Sequence, residues 1–272
     1  MNEPKVTQTQ TWLYALQLDS FRGINEKLSM QSNVGESLKT LEKEIFAPPK
    51  PATFWRTLKC VIAYHWRWYK ANKWTLLGGT LLTVFIALVV VRPIESDFSP
   101  TLRKLLPPED WARAAEFLSW SGEYAFLLFV FLGSLLLGGL LRKRRLYLVA
   151  HCLLASLLFS TVVTRTSKAA IGRLRPISAI EMQVPDQFIG PTMTAKYHSF
   201  PSGHTSASFS GATPLFLSHP IIGAPAMAYA SCVSLSRAYK RQHYLSDLIA
   251  GFWVGLGCSL PALSLLRKSK TN

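Results

Sequence analysis

The sequence predicts an all-α protein, a polytopic membrane bundle of six transmembrane helices. Hydrophobic residues make up 49% of the 272 residues and only 17% are charged, whereas about a quarter of the residues in a soluble domain carry a charge. The charges are also clustered, and the long stretches without them are typical of segments that cross a bilayer. The positions of these stretches predict the individual helices.

Each predicted span is an uncharged run about long enough to cross a hydrocarbon core at a rise of roughly 1.5 Å per residue. The fourth and fifth spans share one run and are separated by a turn at His219-Pro220. In the last run, the pattern Gly251-x-x-x-Gly255 permits a close helix contact, which we expect within the bundle. The runs are residues 74–91, 124–141, 146–164, 205–236 (two spans) and 248–266.

These runs divide the chain into three regions. Residues 1–73 are expected to be a polar cytoplasmic region without a cleavable signal peptide. Residues 74–266 form the six-span domain, and residues 267–272 form a cytoplasmic tail. Within the first region, residues 54–70 mix aromatic and basic side chains, which fits a helix lying in the headgroup layer or an amphipathic helix packed on the membrane domain.

The basic residues predict the orientation in the cytoplasmic (inner) membrane. The basic runs 142–145 and 267–270 place both termini on the cytoplasmic side, and the acidic loop 92–123 lies on the opposite side. A second group of bases falls on that outer side, against the positive-inside rule, and binding of an anion would explain it. The group consists of Arg165, Lys168, Arg173, Arg175, Lys196, Arg237, Lys240 and Arg241.

Several other functions are excluded. The net charge of +15 is not arranged as a basic stripe on a soluble helix, so nucleic acid is not an expected partner. The four cysteines lack zinc or disulfide spacing. Glu181, Asp186 and Asp247 are too scattered along the chain for a magnesium site. We therefore predict no metal and no cofactor.

Three segments carry the candidate chemistry. In the first, Lys168 and Arg175 lie seven residues apart on one helical face, and Pro176 is expected to end that helix and let the arginine point out of its end. Alone, this pattern also fits a basic anchor at the membrane interface.

The second segment is Phe200-Pro-Ser-Gly-His204, just before an apolar run. Proline suits a first helical turn and glycine allows close approach of the backbone. The start of a helix favours a bound phosphate, Ser202 adds a hydroxyl, and His204 can exchange a proton near neutral pH. An ordinary helix cap with a chance histidine is the alternative.

The third segment contains Arg237, His243 and Asp247. Four residues separate His243 from Asp247, which puts both on one face of a helical turn. The aspartate can then hold one ring nitrogen and leave the other free to attack. Arg237 provides a planar fork that matches phosphate oxygens.

Taken together, K-x6-RP, PSGH and SR-x5-H-x3-D resemble the complete signature of the type-2 phosphatidic acid phosphatase superfamily, in its membrane lipid phosphatase branch. The motifs cover residues 168–247, and the six-span layout extends the resemblance to about 74–266.

The resemblance implies a role for each motif residue. His243 would be the nucleophile that forms a phosphohistidine, Asp247 would orient it, and His204 would protonate the leaving oxygen and later activate water. The equatorial phosphate oxygens would be held by Lys168, Arg175, Arg237, Ser202 and the amide of Gly203. This agrees with the needs of phosphoryl transfer, which are positive charge, in-line positioning and a proton donor.

The leading hypothesis is a hydrolase facing the outer (periplasmic) side, with a membrane lipid as substrate. Undecaprenyl diphosphate, phosphatidylglycerol phosphate, phosphatidic acid and lipid A 1-phosphate are candidates, and the 177–200 loop is where we expect headgroup selectivity. The alternatives are a lipid phosphotransferase with the same intermediate, a vanadate-dependent oxidase, and a non-catalytic lipid-binding protein. A non-catalytic relative would be expected to have lost His204, His243 or Asp247.

Overall fold

The structure, a computed structural model, describes residues 36–43, 45, 53–122, 124–141 and 144–268. These residues are largely helical and contain no β-sheet, and Arg173 forms isolated backbone bridges with Phe188 and His198. The all-α prediction is confirmed. Most of the predicted N-terminal region and the end of the predicted tail lie outside the described residues.

Ten α-helices follow one another within the described ranges from residue 53 onward. They are α1 (Thr53–Ala71), α2 (Lys73–Phe85), α3 (Phe98–Leu105), α4 (Pro108–Ser121), α5 (Tyr124–Leu140), α6 (Arg144–Ile171), α7 (Pro176–Met182), α8 (Gly203–Ser218), α9 (Pro220–Tyr239) and α10 (Leu245–Lys268).

Apolar helices occupy all six positions predicted for spans. Three stretches of the described chain are long and apolar enough to cross a membrane, namely Lys73–Leu105, Arg145–Ile171 and Leu245–Leu266. Helices α8 and α9 are the two predicted arms, and His219 separates them as expected. The protein is a multi-pass membrane protein, and the exact number of six crossings stays a prediction.

The segment 92–123 was predicted as an acidic loop, and this is wrong for most of its length. A π-helical stretch, Ile86–Val91, continues α2 into a 3₁₀-helix, Arg92–Asp97, and then into α3 and α4. The acidic composition did not predict these helices, because charged side chains at a membrane surface are compatible with either a loop or a helix. One consequence is that Glu95 becomes buried, with only 5% of its surface exposed.

Glycines allow α10 to lie directly on α8. A Cβ atom at Gly251 would come within 2.7 Å of the Ser202 carbonyl oxygen, and one at Gly255 within 2.6 Å of the Ser206 carbonyl oxygen. Real Cβ atoms do not approach so closely, so only glycine permits this contact. The predicted close contact within the bundle is confirmed, and it supports the start of α8.

Helix α1 packs on the bundle through one face. Val61 and Tyr64 are buried in a cluster with Val149 of α6 and Leu265 of α10. The Tyr64 hydroxyl donates a hydrogen bond to Ser264 Oγ at 2.9 Å. The opposite face leaves Trp55 69% exposed, so the helix is amphipathic in its contacts.

Candidate active site

The first motif adopts a different backbone from the one predicted. Helix α6 ends at Ile171, and Gly172 follows it with φ +62°, a left-handed conformation that favours glycine. A side chain at Gly172 would also collide with the carbonyl oxygen of Gly190, at 2.0 Å. Pro176 does not end this helix, because it begins α7. Lys168 and Arg175 therefore do not share a helical face.

The three predicted phosphate-binding cations nevertheless converge. Lys168 Nζ donates to the carbonyl oxygens of His198 and Ser199, at 2.5 and 3.3 Å. Arg175 Nη1 donates to Gln242 Oε1 at 2.5 Å, and Arg237 Nη1 donates to Ser119 Oγ. The charges of all three act on His204, as its pKa shows below. The three cations are thus held by protein acceptors and act together on His204.

The second motif forms the start of α8, as predicted, although Pro201 precedes the cap instead of lying in the first turn. Ser202 is the N-cap residue, and its hydroxyl accepts hydrogen bonds from the backbone N–H and the side-chain hydroxyl of Thr205, at 3.5 and 2.9 Å. Gly203 is the first helical residue. The amide groups of this first turn have no intrahelical acceptor, so they favour an anion.

His204 stands at this helix start with a nitrogen that lacks a partner. Its Nε2 atom is buried and has no hydrogen-bond partner among the described residues. A buried polar atom without a partner is costly, and such an atom in a native protein often meets a ligand. The ring lies beside Gly122, since a Cβ atom there would be 3.4 Å from His204 Cδ2.

The third motif brings His243 and Asp247 together at the start of α10. His243 Nδ1 lies 3.4 Å from Asp247 Oδ2, and both side chains are buried. The prediction that they share a helical turn is wrong in detail, because α10 begins at Leu245, after His243. The backbone N–H of Tyr244 donates to the same carboxylate oxygen at 2.9 Å, so the chain folds around Asp247 before the helix starts.

The surroundings of both histidines lower their pKa values and so favour the neutral imidazole. Burial lowers the pKa of His243 well below its ordinary value, and the hydrogen bond with Asp247 only partly offsets this. For His204, which precedes the predicted span, burial and then the charges of Arg237, Lys168 and Arg175 lower the pKa to about 3. A phosphate bound among these cations would cancel their charge and raise the pKa of His204 again.

The sequence analysis did not assign a site role to Arg173, which is fully buried and contacts Asp247. Its Nη1 donates to Asp247 Oδ1 at 2.7 Å and its Nη2 to Glu95 Oε1 at 2.6 Å. Arg173 was recognised only as one of the outer bases. The signal that could have singled it out is its place between Lys168 and Arg175, in the same motif.

The acidic residues are closer together than the sequence suggested. Asp186 and Asp247 were predicted to be scattered, yet both accept hydrogen bonds from Arg173, together with Glu95. A guanidinium occupies the centre of this acidic group. Within the described part of the chain, no group of three His, Cys, Asp or Glu residues is arranged to hold a metal ion.

The remaining residues noted in the sequence line the surroundings of the site. His198 Nε2–H donates a hydrogen bond to the Thr192 carbonyl oxygen at 2.9 Å. Phe188 of the 177–200 loop packs against the Arg173 guanidinium. The distance from the Phe188 ring centroid to Arg173 Cζ is 5.2 Å. Met182, in the same segment and at the end of α7, is 42% exposed.

The chain is similar to known proteins through the same region. A family model of the PAP2 superfamily matches residues 149–270. The chain is 32% identical over 120 residues to the undecaprenyl-diphosphatase of Sulfolobus acidocaldarius. The aligned region covers 43% of this chain and 54% of that protein. The match thus spans about half the length of that relative.

Two crystal structures also align with the chain. Aquifex aeolicus LpxE aligns with a TM-score of 0.47 and 20% identity, over 63% of this chain and 98% of that one. The first transmembrane PAP2 type phosphatidylglycerolphosphate phosphatase from Bacillus subtilis aligns with a TM-score of 0.47 and 18% identity, over 72% and 94%.

Proposed function

We propose that this chain, whose residues 149–270 belong to the PAP2 superfamily, is a membrane lipid phosphatase that works through a phosphohistidine on His243. The observation that carries the proposal is the buried pair of His243 and Asp247 beside three converging cations. An anion would neutralise the cations, and a neutral imidazole would face it.

Phosphate binding follows from the cations and the start of α8. Lys168, Arg175 and Arg237 together supply three positive charges, which match the charge that spreads over the equatorial oxygens of a transferring phosphoryl group. Ser202 and the Gly203 amide add neutral donors at the helix start. Because these groups are held by other protein atoms before substrate arrives, little reorganisation is needed during the reaction.

Phosphoryl transfer would then occur in two steps. The lone pair on Nε2 of His243 attacks phosphorus, while Nδ1–H donates to Asp247, and the bond from phosphorus to the leaving oxygen breaks. The leaving oxygen takes a proton from His204, which has received that proton from the bound phosphate monoanion and becomes neutral again. In the second step His204 removes a proton from water, the water oxygen attacks phosphorus, and the bond to His243 breaks to release inorganic phosphate.

A lipid substrate is supported by a cavity that adjoins the phosphate site through Ser119 and Arg237. In-line displacement places the leaving group opposite His243, on the side of His204. A cavity of about 540 Å³ is lined by Phe117, Ser119 and Trp120 of α4, together with the charged residues Arg113, Glu116 and Lys240. Ser119 accepts the hydrogen bond from Arg237, so the cavity adjoins the phosphate site. Phe117 and Trp120 are 56% and 55% exposed, as suits contact with an acyl or prenyl chain.

The experiment is phosphate release by the purified protein from a panel of lipid monophosphates and diphosphates, with and without an excess of EDTA. We expect release that survives EDTA and is inhibited by vanadate, which adopts the five-coordinate geometry of the transition state. A rapid quench without acid should trap a labelled phosphohistidine on His243 and none in His243→Ala.

The matched control is His219→Ala, which removes an exposed histidine from the turn between α8 and α9. It should keep both turnover and label. Complete loss of activity with EDTA, restored by magnesium, would contradict the proposed chemistry. Transfer of the label to an added alcohol in place of water would identify a phosphotransferase.

A further inference from the structure

Arg173 donates five hydrogen bonds beside the site, although it belongs to neither the nucleophile nor the phosphate-binding set. The side chain is fully buried. Its Nε and Nη2 atoms donate to the two carboxylate oxygens of Asp186, at 3.0 and 2.8 Å. Nη2 also donates to Glu95 at 2.6 Å, and Nη1 donates to Asp247 at 2.7 Å and to Ser246 Oγ at 2.6 Å.

Aromatic rings hold the guanidinium in place. The ring centroid of Tyr244 lies 4.0 Å from the Arg173 Cζ atom, and that of Phe188 lies 5.2 Å from it. Cations and aromatic faces attract each other at such distances. The hydrogen bonds therefore restrain the Arg173 guanidinium within its plane, and the aromatic rings restrain it perpendicular to that plane.

The contact with Asp247 fixes the direction of that carboxylate. Oδ1 accepts from Arg173, whereas Oδ2 accepts from Ser199 Oγ at 2.6 Å and from Tyr244 N at 2.9 Å, and lies 3.4 Å from His243 Nδ1. Without the donor on Oδ1, the carboxylate could rotate about its Cβ–Cγ bond. Oδ2 would then lose its alignment with the nucleophilic histidine.

Glu95 anchors this support to another part of the bundle. Its Oε1 accepts from Arg173, and its Oε2 accepts from the backbone N–H of Ser246 in the first turn of α10, at 2.8 Å. Glu95 lies in the 3₁₀-helix that follows α2. The carboxylate thus connects the end of the first predicted span with the residue next to Asp247.

We propose that Arg173 is a positioning residue, held by Glu95 and Asp186, which orients Asp247 so that His243 can attack phosphorus. The proposal rests on the proposed function, since it assigns Arg173 to the same reaction. Arg173 does not face the phosphate, because its donors are directed at carboxylates and Ser246. Its effect should therefore fall on the rate of phosphoryl transfer and not on phosphate binding.

The test compares Arg173→Gln with a matched control, Arg92→Gln. Arg92 Nε donates to the same residue, Asp186, at 3.0 Å, but its side chain is 39% exposed and this ion pair does not involve Asp247. In Arg173→Gln we expect kcat to fall about 100-fold, as for a catalytic group displaced by about 1 Å. KM and the Kd for vanadate should change by less than about threefold, since ground-state binding is retained.

A double-mutant cycle with Asp247→Asn separates positioning from a general structural role. If Arg173 acts through Asp247, Arg173→Gln should lower kcat little further in the Asp247→Asn background. A structural role predicts that the two losses multiply. Arg173→Lys, which keeps one charge but loses the fork, should restore kcat to within about tenfold of wild type and provides the comparison if the glutamine variant does not fold.

Three results would overturn the proposal: a wild-type kcat in Arg173→Gln, a parallel collapse of vanadate affinity, or multiplicative losses in the cycle. For the lysine variant, a kcat as low as that of Asp247→Asn would do the same. Failure of the proposed function is distinguished by the wild-type protein itself, which would then release no phosphate from any lipid of the panel.

Discussion

Replacing Asp247 with asparagine tests the central geometry of the site. Four donors converge on the two carboxylate oxygens of Asp247, and asparagine offers only one oxygen. In one orientation the new NH₂ group faces Arg173; in the other it faces Ser199, Tyr244 and His243. The charged Arg173 makes the stronger hydrogen bond, so we expect the amide oxygen to remain on Arg173.

The size of the effect follows from that orientation. The NH₂ group would then face His243 Nδ1, at the position of an oxygen now 3.4 Å away, and would favour the tautomer whose proton is on Nε2. That tautomer has no lone pair for attack. Loss of a tautomer-fixing aspartate costs about 10⁴ in kcat in a serine protease, and about 10⁴ corresponds to roughly 5.4 kcal/mol in the activation free energy.

The assay is single-turnover formation of labelled phosphoenzyme, with vanadate binding as the check on the cation pocket. The control is Ser199→Ala, which removes one donor from the same oxygen without affecting the tautomer. It should lower kcat by no more than about tenfold, the value of one hydrogen bond. A kcat for Asp247→Asn within tenfold of wild type, with phosphoenzyme still forming, would refute the reasoning.

Three further predictions concern His204, pH and topology. His204→Ala should lose about 10³ in kcat on a lipid monophosphate, because an alkoxide needs a proton to leave, but should keep more phosphoenzyme formation on an activated aryl phosphate. The lowered pKa values of His204 (about 3) and His243 leave both neutral in the free enzyme, so the proton must arrive with the substrate. Since the second pKa of a phosphate ester is about 6, kcat/KM should fall as the pH rises above about 6. Accessibility labelling should place residues 10 and 270 on the cytoplasmic side and residue 190 on the outer side.

Each of these predictions has a clear contrary outcome. Equal losses of His204→Ala on both substrates would remove its role as proton donor, and a label found on His204 in the wild type would reverse the roles of the two histidines. A kcat/KM that rises between pH 6 and 8 would indicate a nucleophile that must first lose a proton. Labelling of residue 190 only from the cytoplasm would put the site on the other side of the membrane.

Local features of the sequence predicted the helices and the motif residues well. Inside a bilayer, a single uncharged run can make all of its backbone hydrogen bonds within itself only by forming a helix. The positions of such helices can therefore be predicted from hydropathy alone. The chemistry of Lys168, Arg175, Arg237, His204 and His243 is likewise a property of the residue types. In the structure, the charges of Lys168, Arg175 and Arg237 act on His204, and the assignment of these residues to one catalytic site stays a prediction.

The local backbone of the motifs could be predicted less well. The helix end after Lys168 depends on Gly172, which adopts a left-handed conformation beside Gly190, and not on Pro176. The segment 92–123 turned out helical because α3 and α4 pack on the rest of the bundle. Contacts of this kind join segments that are distant in the sequence, so patterns among neighbouring residues do not predict them.

The fold class, the chemistry of the three motifs and their order could be predicted from the amino-acid sequence alone, because hydropathy and residue type are local properties. The position of Arg173 between Glu95, Asp186 and Asp247 became visible only in the folded protein. Glu95 and Asp247 are far apart in the chain, and Glu95 reaches the site only when the end of α2 packs beside α10. A buried charge finds its partners through the fold, since each carboxylate loses its water and must gain a donor from whichever segment is brought against it.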